Sequence, residues 1–357
     1  MTSIFCGLRP HLYTILTLLC SLIFSHSALA ESRWDGPRTG PSAKAGKTIV
    51  YVADDLKNAG ILGVGEGVRE AALAIGWNLV VLDIGSIDSQ RARVFNKALK
   101  LNPDGLIIGG GDALNNNKYL QLFANAGIPV ASWHSSPFPG PVEGTPIFIN
   151  ITTDSLAVAR AAANYAIEES SGKAGVVIFT DSRFAIAIKK SELMADIIRA
   201  CPKCTLLSVE DIALDTTAKE MPQIIPELLQ RYGNRWTHAI GINDLYFDHA
   251  VTSLILAGKS SDEPPINISA GDGSPSAFMR IRNHEYQAAT ISEPLLLHGW
   301  QLIDELNRRF TGEDPSGYVN PPYIVTTENI DNYSQELTPF DPDNNYRRFY
   351  TKIWLGK

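Results

Sequence analysis

Cysteine is scarce in this chain, with four residues among 357. Two of the four lie within the first thirty residues, which leaves Cys201 and Cys204 for the rest of the chain. Two thiols without histidines nearby in sequence are too few for a structural zinc site. The stretch ACPKCTLL follows a predicted helix, whereas a thioredoxin-type CxxC begins a helix after a strand. We expect a small structural disulfide, with free thiols or a redox role as the alternatives.

Clusters of basic residues are missing as well. The chain has 31 Lys and Arg against 38 Asp and Glu, which gives a formal net charge of -7. Nucleic-acid phosphates are bound by clustered Lys and Arg. The sequence therefore argues against a nucleic-acid partner.

Sequence signatures of catalysis are also lacking. The chain has no GxSxG nucleophile elbow, and its seven histidines show no HExxH metal spacing. The glycines of GILGVGEGV lie inside a predicted helix, whereas a dinucleotide fingerprint directly follows a strand. The tail DPDNNYRRFY lacks the glycine that a calcium loop needs at its sixth position. We predict that the chain is not an enzyme and requires neither a cofactor nor a metal ion.

Long hydrophobic runs are confined to the first thirty residues. Arg9 precedes an apolar run from Leu12 to Phe24, and Ala28-Leu29-Ala30 fits a signal-peptidase site. The run is shorter than the roughly 20 residues that a membrane-spanning helix needs. We therefore predict a signal peptide at residues 1–30, cleaved after Ala30, and hence an exported protein. Residues 31–46 are rich in Gly, Pro and Ser and are predicted to form a flexible leader.

From residue 47 onward, short β-branched segments alternate with longer amphipathic ones. Such alternation predicts an α/β fold with parallel sheets covered by helices on both faces. The length exceeds what one hydrophobic core usually serves, so we expect two doubly wound parallel-sheet lobes. The predicted strands are 48–53, 78–83, 105–109, 128–133, 146–151, 174–179, 205–210, 237–242, 266–271 and 287–292.

Polar side chains follow most of the predicted strands. The carboxyl ends of strands in open α/β sheets line the ligand crevice. Asp, Asn and Ser at these positions often only cap the next helix, but Asn243-Asp244 offers two such side chains where a cap needs one. Excess amide and carboxylate groups suit ligand hydroxyls, and aromatic rings could cover an apolar ligand face or belong to the core. The candidate site residues are Asp55, Asn58, Trp133, His134, Arg183, Phe184, Asn243, Asp272 and Glu293.

Several stretches together resemble the type I periplasmic sugar-binding proteins, the family of the ribose-binding protein. They are VYVADDLKNAGILGVGEGV, GINDLYFDHAV, ISAGDGSPSAF and QAATIS, in this order within residues 47–325. The resemblance implies a monomeric, periplasmic, two-lobed protein that closes on a sugar or related small molecule. It further implies delivery of that solute to an ABC transporter permease. Docking on a sensor kinase or chemoreceptor is the alternative output.

The resemblance also implies where the lobes meet. Lobe 1 is expected to comprise residues 47–152 plus 294–325, and lobe 2 residues 153–293 plus 326–357. Three hinge strands would join them, near Ile151-Thr152, Glu293-Pro294 and Val325-Thr326.

Individual site roles follow from the same resemblance. Asn58, Asn243 and Asp272 match polar ligand contacts of the family. Glu293 stands where the family usually has glutamine, and His134 where it commonly has aspartate. Two family features are missing: the paired ring-stacking phenylalanines are replaced by Gly60 and Ile61, and Ile188 takes the place of an arginine.

Overall fold

The fold consists of two α/β lobes, in a computed structural model that describes residues 34–333 and 338–356. The predicted signal peptide and its cleavage site lie outside these residues. Within the described part of the chain, no helix combines the length and the hydrophobicity that crossing a membrane requires.

The first lobe is built around a five-stranded parallel sheet with the order β2-β1-β3-β4-β5. Residues 49–53 of β1 are buried because helices cover both faces of the sheet. The strands are β1 (Thr48–Ala53), β2 (Asn78–Asp83), β3 (Gly105–Gly109), β4 (Val130–Trp133) and β5 (Ile147–Ile151). The helices of this lobe are α1 (Ala59–Ala74), α2 (Asp88–Lys100), α3 (Ala113–Asn125) and α9 (Leu295–Thr311).

The second lobe has a six-stranded sheet with the order β11-β10-β9-β8-β6-β7. Its strands are β6 (Gly175–Thr180), β7 (Thr205–Asp211), β8 (His238–Gly241), β9 (Ile266–Ser269), β10 (Ala289–Ser292) and β11 (Tyr323–Thr326). Its helices are α4 (Ser155–Glu169), α5 (Ala185–Ala200), α6 (Thr217–Tyr232), α7 (Leu245–Leu256) and α8 (Pro275–Arg282). Cys201 and Cys204 form a disulfide directly after α5. The predicted α/β fold with two doubly wound lobes is confirmed.

One strand escaped the sequence analysis. β11 pairs antiparallel with β10 at the edge of the second sheet, whereas the other strand pairs are parallel. Residues 323–325 therefore belong to lobe 2, and the expected assignment of 294–325 to lobe 1 was wrong at its end. The third crossing between the lobes lies between α9 and β11, before the predicted Val325-Thr326 position.

The predicted flexible leader is packed over its described residues, 34–46. The Trp34 side chain is only 2% exposed, and its ring centroid lies 5.2 Å from that of Tyr318 and 5.9 Å from that of Phe349. The Lys44 backbone carbonyl accepts a hydrogen bond from the Trp77 indole. Within these residues, the buried Trp34 ring and the hydrogen bond to Lys44 hold the predicted leader against lobe 1.

The C-terminal tail divides between the lobes, although residues 326–357 were all assigned to lobe 2. Phe340 packs in a lobe 2 cluster with Phe278 and Val325. Helix α10 (Tyr346–Leu355) packs on lobe 1, where the Trp354 ring stacks on Trp300 at 5.3 Å. The tail therefore makes a fourth crossing between the lobes, and the assignment of residues 346–355 to lobe 2 was wrong.

Candidate functional site

Residues from the carboxyl ends of strands in both sheets meet between the lobes. His134 directly follows β4 of lobe 1, Asp272 follows β9 of lobe 2 by three residues, and Glu293 directly follows β10. A central cavity of about 70 Å³ lies at this junction. Its lining residues are Asn58, Ile61, Gly110, Gly111, Trp133, His134, Phe184, Ile186, Ala187, Lys190, Leu214, Ile242, Asn243 and Asp272.

A fully buried carboxylate, Glu293, links the two lobes. Its Oε2 atom accepts a hydrogen bond from His134 Nε2 at 2.9 Å and another from the Thr153 hydroxyl. Its Oε1 atom lies 3.3 Å from Lys190 Nζ, which also donates to the Ala270 carbonyl at 2.9 Å. Burial opposes ionisation of Glu293, but the charges of His134 and Lys190 outweigh burial and hold its pKa well below the usual range. The carboxylate is therefore ionised and fully engaged.

Asp272 is the second buried carboxylate of the site. Its Oδ2 atom accepts a hydrogen bond from the Asn243 amide at 2.7 Å, within lobe 2. Burial raises the pKa of Asp272 to about 6, although His134 and Lys190 counteract that effect. A Cβ atom placed on Gly60 of lobe 1 would lie 2.3 Å from Asp272 Oδ2. The absence of a side chain at residue 60 thus lets the two lobes approach each other here.

Asp244 supports the loop that carries Asp272. Its Oδ2 atom accepts hydrogen bonds from the backbone N–H groups of Asp272, Gly273 and Ser274 at 2.9 to 3.0 Å. Its Oδ1 atom accepts from the Gln287 amide at 3.0 Å. Asp244, the second polar side chain of the Asn243-Asp244 pair, thus holds the Asp272 loop in position and makes no side-chain hydrogen bond that caps α7.

Two aromatic side chains form part of the cavity wall on the lobe 1 side. The rings of Trp133 and His134 stack with centroids 3.8 Å apart. The Trp133 indole donates to His298 Nδ1 at 3.1 Å, deep in the lobe. Burial lowers the pKa of His298 to about 3, so this imidazole is neutral and can accept that hydrogen bond. Trp133 is therefore fixed in place beneath the site.

The four remaining candidates have structural roles of their own or line the outer cavities. Asn58 lines the central cavity, while its Oδ1 atom caps α1 by accepting from two backbone N–H groups. Arg183 pairs with Asp181 and Asp215 at 2.7 and 2.6 Å and lines outer cavities of about 490 and 130 Å³. Asp55 lines the smaller outer cavity. Phe184 lines the central cavity and both outer ones.

Lys190 is the site residue that the sequence analysis missed. It lies on the inward face of α5 with Ala187 and Met194, and its side chain is 4% exposed. The sequence signal was present, because a lysine at helical spacing from apolar residues is rarely buried without a partner. Lys190 thus supplies a buried cation from the same helix as Ile188.

Three ligand-type atoms, from His134, Asp272 and Glu293, lie within 4.8 Å of one another. Such a set could in principle hold a metal ion. Both oxygens of Glu293 are already hydrogen-bonded, however, and the Lys190 ammonium lies beside them. Since that positive charge would repel a metal cation, the arrangement fits an ion-pair network better than a metal centre.

Many solved structures share this fold. A galactofuranose-binding protein is 14% identical, with a TM-score of 0.71, and the match covers 80% of this chain and 96% of that one. A solute-binding protein from Agrobacterium vitis with bound allitol is 17% identical, with a TM-score of 0.69 and coverage of 80% and 97%. A Caulobacter myo-inositol-binding protein is 18% identical, with a TM-score of 0.70 and coverage of 83% and 98%. These likenesses show the fold.

The sequence itself identifies the family. No curated protein matches the chain significantly. The profile described as the periplasmic binding protein domain, however, matches residues 49–314, which is most of the chain. That range contains both sheets except for β11 and the first residue of β1, together with the whole cluster around Glu293. The chain belongs to the family of periplasmic binding proteins.

Proposed function

We propose that this protein captures a sugar or sugar-like small molecule between its lobes in the periplasm and delivers it to an ABC transporter permease. The ligand leaves unchanged, because the site positions hydrogen-bonding groups and offers no activated nucleophile. Asn58, His134, Asn243 and Asp272 contact the ligand, and Trp133 and Phe184 cover its faces.

The observation that carries this proposal is the convergence of both lobes on one cavity. His134 comes from lobe 1, whereas Lys190, Asn243 and Asp272 come from lobe 2. A ligand that touches both lobes favours the closed form, because its contacts are complete only there. Solved structures with this fold include proteins with bound allitol and myo-inositol, which supports a polyhydroxylated or related solute.

The test is a thermal-shift screen of the mature chain against sugars, polyols and smaller alcohols. At least one compound should raise the melting temperature of the parent protein, and the Asp272→Ala variant should lose that response while folding normally. The control is Asp196→Ala, which removes an exposed carboxylate of α5 that pairs with Arg199; it should respond like the parent. Equal responses from all three proteins would contradict capture at this site. Recovery of the bound compound in altered form would contradict binding without turnover.

A further inference from the structure

We infer that the central cavity selects an uncharged molecule that is smaller than a hexose, with its hydroxyl groups at one end and an apolar remainder. This inference rests on the proposed function, since it names the class of ligand that the proposed site takes. It is carried by the size of the cavity, the chemistry of its walls and the way its polar groups are already engaged.

The cavity is small. Its volume of about 70 Å³ compares with the roughly 10–15 Å³ that one water needs, so it holds about six water-sized groups. A hexose has about a dozen non-hydrogen atoms, about twice that capacity. Pockets for drug-sized ligands usually exceed about 300 Å³. The central cavity therefore suits a molecule of roughly four carbons, or a lightly substituted ring that displaces Phe184 slightly.

The walls of the cavity are apolar over a large part of their area. Ile61 lies in the first turn of α1 in lobe 1, and Ile186, Leu214 and Ile242 belong to lobe 2. Ile61, Ile186 and Ile242 are each less than 10% exposed, so each is fixed in the wall. A sugar hydroxyl that pointed at these side chains would lose its hydrogen bonds to water and gain none. A C–H surface would fit there without that loss.

The polar groups form one connected network at the crossing between the lobes. Glu293 binds His134 and Lys190, and Asp272 binds Asn243. Many of their donors and acceptors are thus already used within the protein. Asp272 accepts one side-chain hydrogen bond, from Asn243 to Oδ2, and a carboxylate can accept several, so Asp272 can also accept one from a ligand hydroxyl. The site therefore recognises hydroxyl groups at one end of the ligand by hydrogen bonding.

The charges of the site favour an uncharged ligand. Lys190 and His134 both pair with Glu293, and Arg183, which lines the outer cavities, pairs with Asp181 and Asp215. A carboxylate ligand would find no unpaired cation among the groups that line the cavity, while it would face the carboxylate of Asp272. A hydroxyl group can donate to that carboxylate without repulsion.

Phe184 sets the boundary of the cavity. Among the residues that the structure describes, it is the one that lines all three of the central cavity and the outer cavities of about 490 and 130 Å³. Truncating this ring would join the chambers and remove the size limit. Phe184 is therefore a specificity-determining residue within this inference.

Matched ligand pairs test the inference by isothermal titration calorimetry. 1,2-Butanediol is compared with erythritol and with 2-hydroxybutyrate, and 1,2-cyclohexanediol with myo-inositol; ribose and galactose complete the set. We expect each diol to bind at least about tenfold more tightly than its polyhydroxylated or charged counterpart. The Phe184→Ala variant should reduce or reverse this preference by admitting the larger polyols, whereas Leu214→Asn should weaken binding of the diols selectively. Circular dichroism melts confirm that each variant folds.

The possible outcomes distinguish failure of this inference about the ligand from failure of the proposed function. Tighter binding of erythritol, myo-inositol or a sugar by the parent protein, lost in Asp272→Ala, would overturn the inference and leave the proposed function standing. Tighter binding of 2-hydroxybutyrate would overturn the uncharged class in the same way. Binding of the diols that persists unchanged in Asp272→Ala would overturn both, as would an absence of binding by any compound at millimolar concentration.

Discussion

Replacing Asp244 with asparagine tests how the ligand loop is held. The substitution keeps the shape of the side chain and removes its charge. In the parent protein, one carboxylate oxygen accepts from three consecutive backbone N–H groups, those of residues 272 to 274. The other oxygen accepts from the Gln287 amide. The change therefore weakens four hydrogen bonds in a site that is only 2% exposed.

The expected loss follows from the type of hydrogen bond. A hydrogen bond to a charged group contributes roughly 1.5 to 3 kcal/mol, and one between neutral groups roughly 0.5 to 1.5 kcal/mol. Each of the three backbone bonds should thus lose about 1 kcal/mol, for a total of about 3 kcal/mol. The new amide NH₂ group would also face the Gln287 amide donor, so Gln287 must turn and give up its bond to Arg280.

The measurement combines urea denaturation with calorimetric titration of whichever compound stabilises the parent protein. Asp244→Asn should lower the free energy of unfolding by about 3 kcal/mol and weaken binding, because Asp272 is no longer held in position. The control is Asp154→Asn, an exposed helix cap that accepts from two backbone N–H groups and where asparagine caps as well as aspartate. A loss below about 1 kcal/mol in Asp244→Asn, together with unchanged affinity, would refute the reasoning.

Three further predictions concern pH, closure and the tail. Because burial raises the pKa of Asp272 to about 6, its contribution to stability is present below its ordinary value of 3.8 and is lost as the pH rises through about 6. A ligand that donates a hydrogen bond to the ionised Asp272 carboxylate should bind more weakly as the pH falls through about 6. Calorimetric titrations across that pH range should show this weakening for the parent protein and not for Asp272→Asn. An affinity of the parent that does not change with pH would contradict the prediction. Gly60→Ala should hold the lobes apart, since the new Cβ would lie 2.3 Å from Asp272 Oδ2. Affinity should fall at least about tenfold, and small-angle scattering should show a more open form; the change in scattering should disappear in the Asp272→Gly background. Trp354→Ala should lower the free energy of unfolding by about 3 to 5 kcal/mol, since the ring is buried against Trp300 and bonded to Asp304; a loss in denaturation experiments similar to that of an exposed substitution would show that α10 adds little.

The order of most strands could be predicted, with bounds within two residues of those observed, because parallel strands covered on both faces are apolar throughout. β1 and β3 illustrate this, and both were predicted at their observed bounds. β11 could not be predicted, since its four residues, YIVT, give no period and it gains its order by pairing at a sheet edge. The packed segment around Trp34 was missed for a similar reason, because its partners lie some 280 to 320 positions away in the chain.

The residues that lie at the site could be predicted from the sequence, but the hydrogen bonds and ion pairs between them could not. Strand ends located His134, Asn243, Asp272 and Glu293, because the topology of an α/β sheet fixes where such residues gather. The pairing of His134 with Glu293 depends on how the lobes close, and that of Asn243 with Asp272 joins two loops of lobe 2, so no local pattern encodes either. Lys190 was missed since its partner Glu293 lies 103 positions away, and only that contact explains a buried ammonium.

The fourth crossing restricts how the two lobes can separate. The chain between β11 and α10 contacts lobe 1 where Pro339 packs near Gly63, and lobe 2 where the Phe340 N–H donates to the Gly273 carbonyl at 3.4 Å. Asp341 then pairs with Arg347, which also holds Glu70 of α1. Because these contacts tie the two lobes together along one edge of the cleft, the lobes can separate there only if the contacts break. The pivot of the opening motion therefore lies near this edge, and the opposite edge of the cleft moves farthest. Solute therefore enters the cleft from the edge opposite the C-terminal tail.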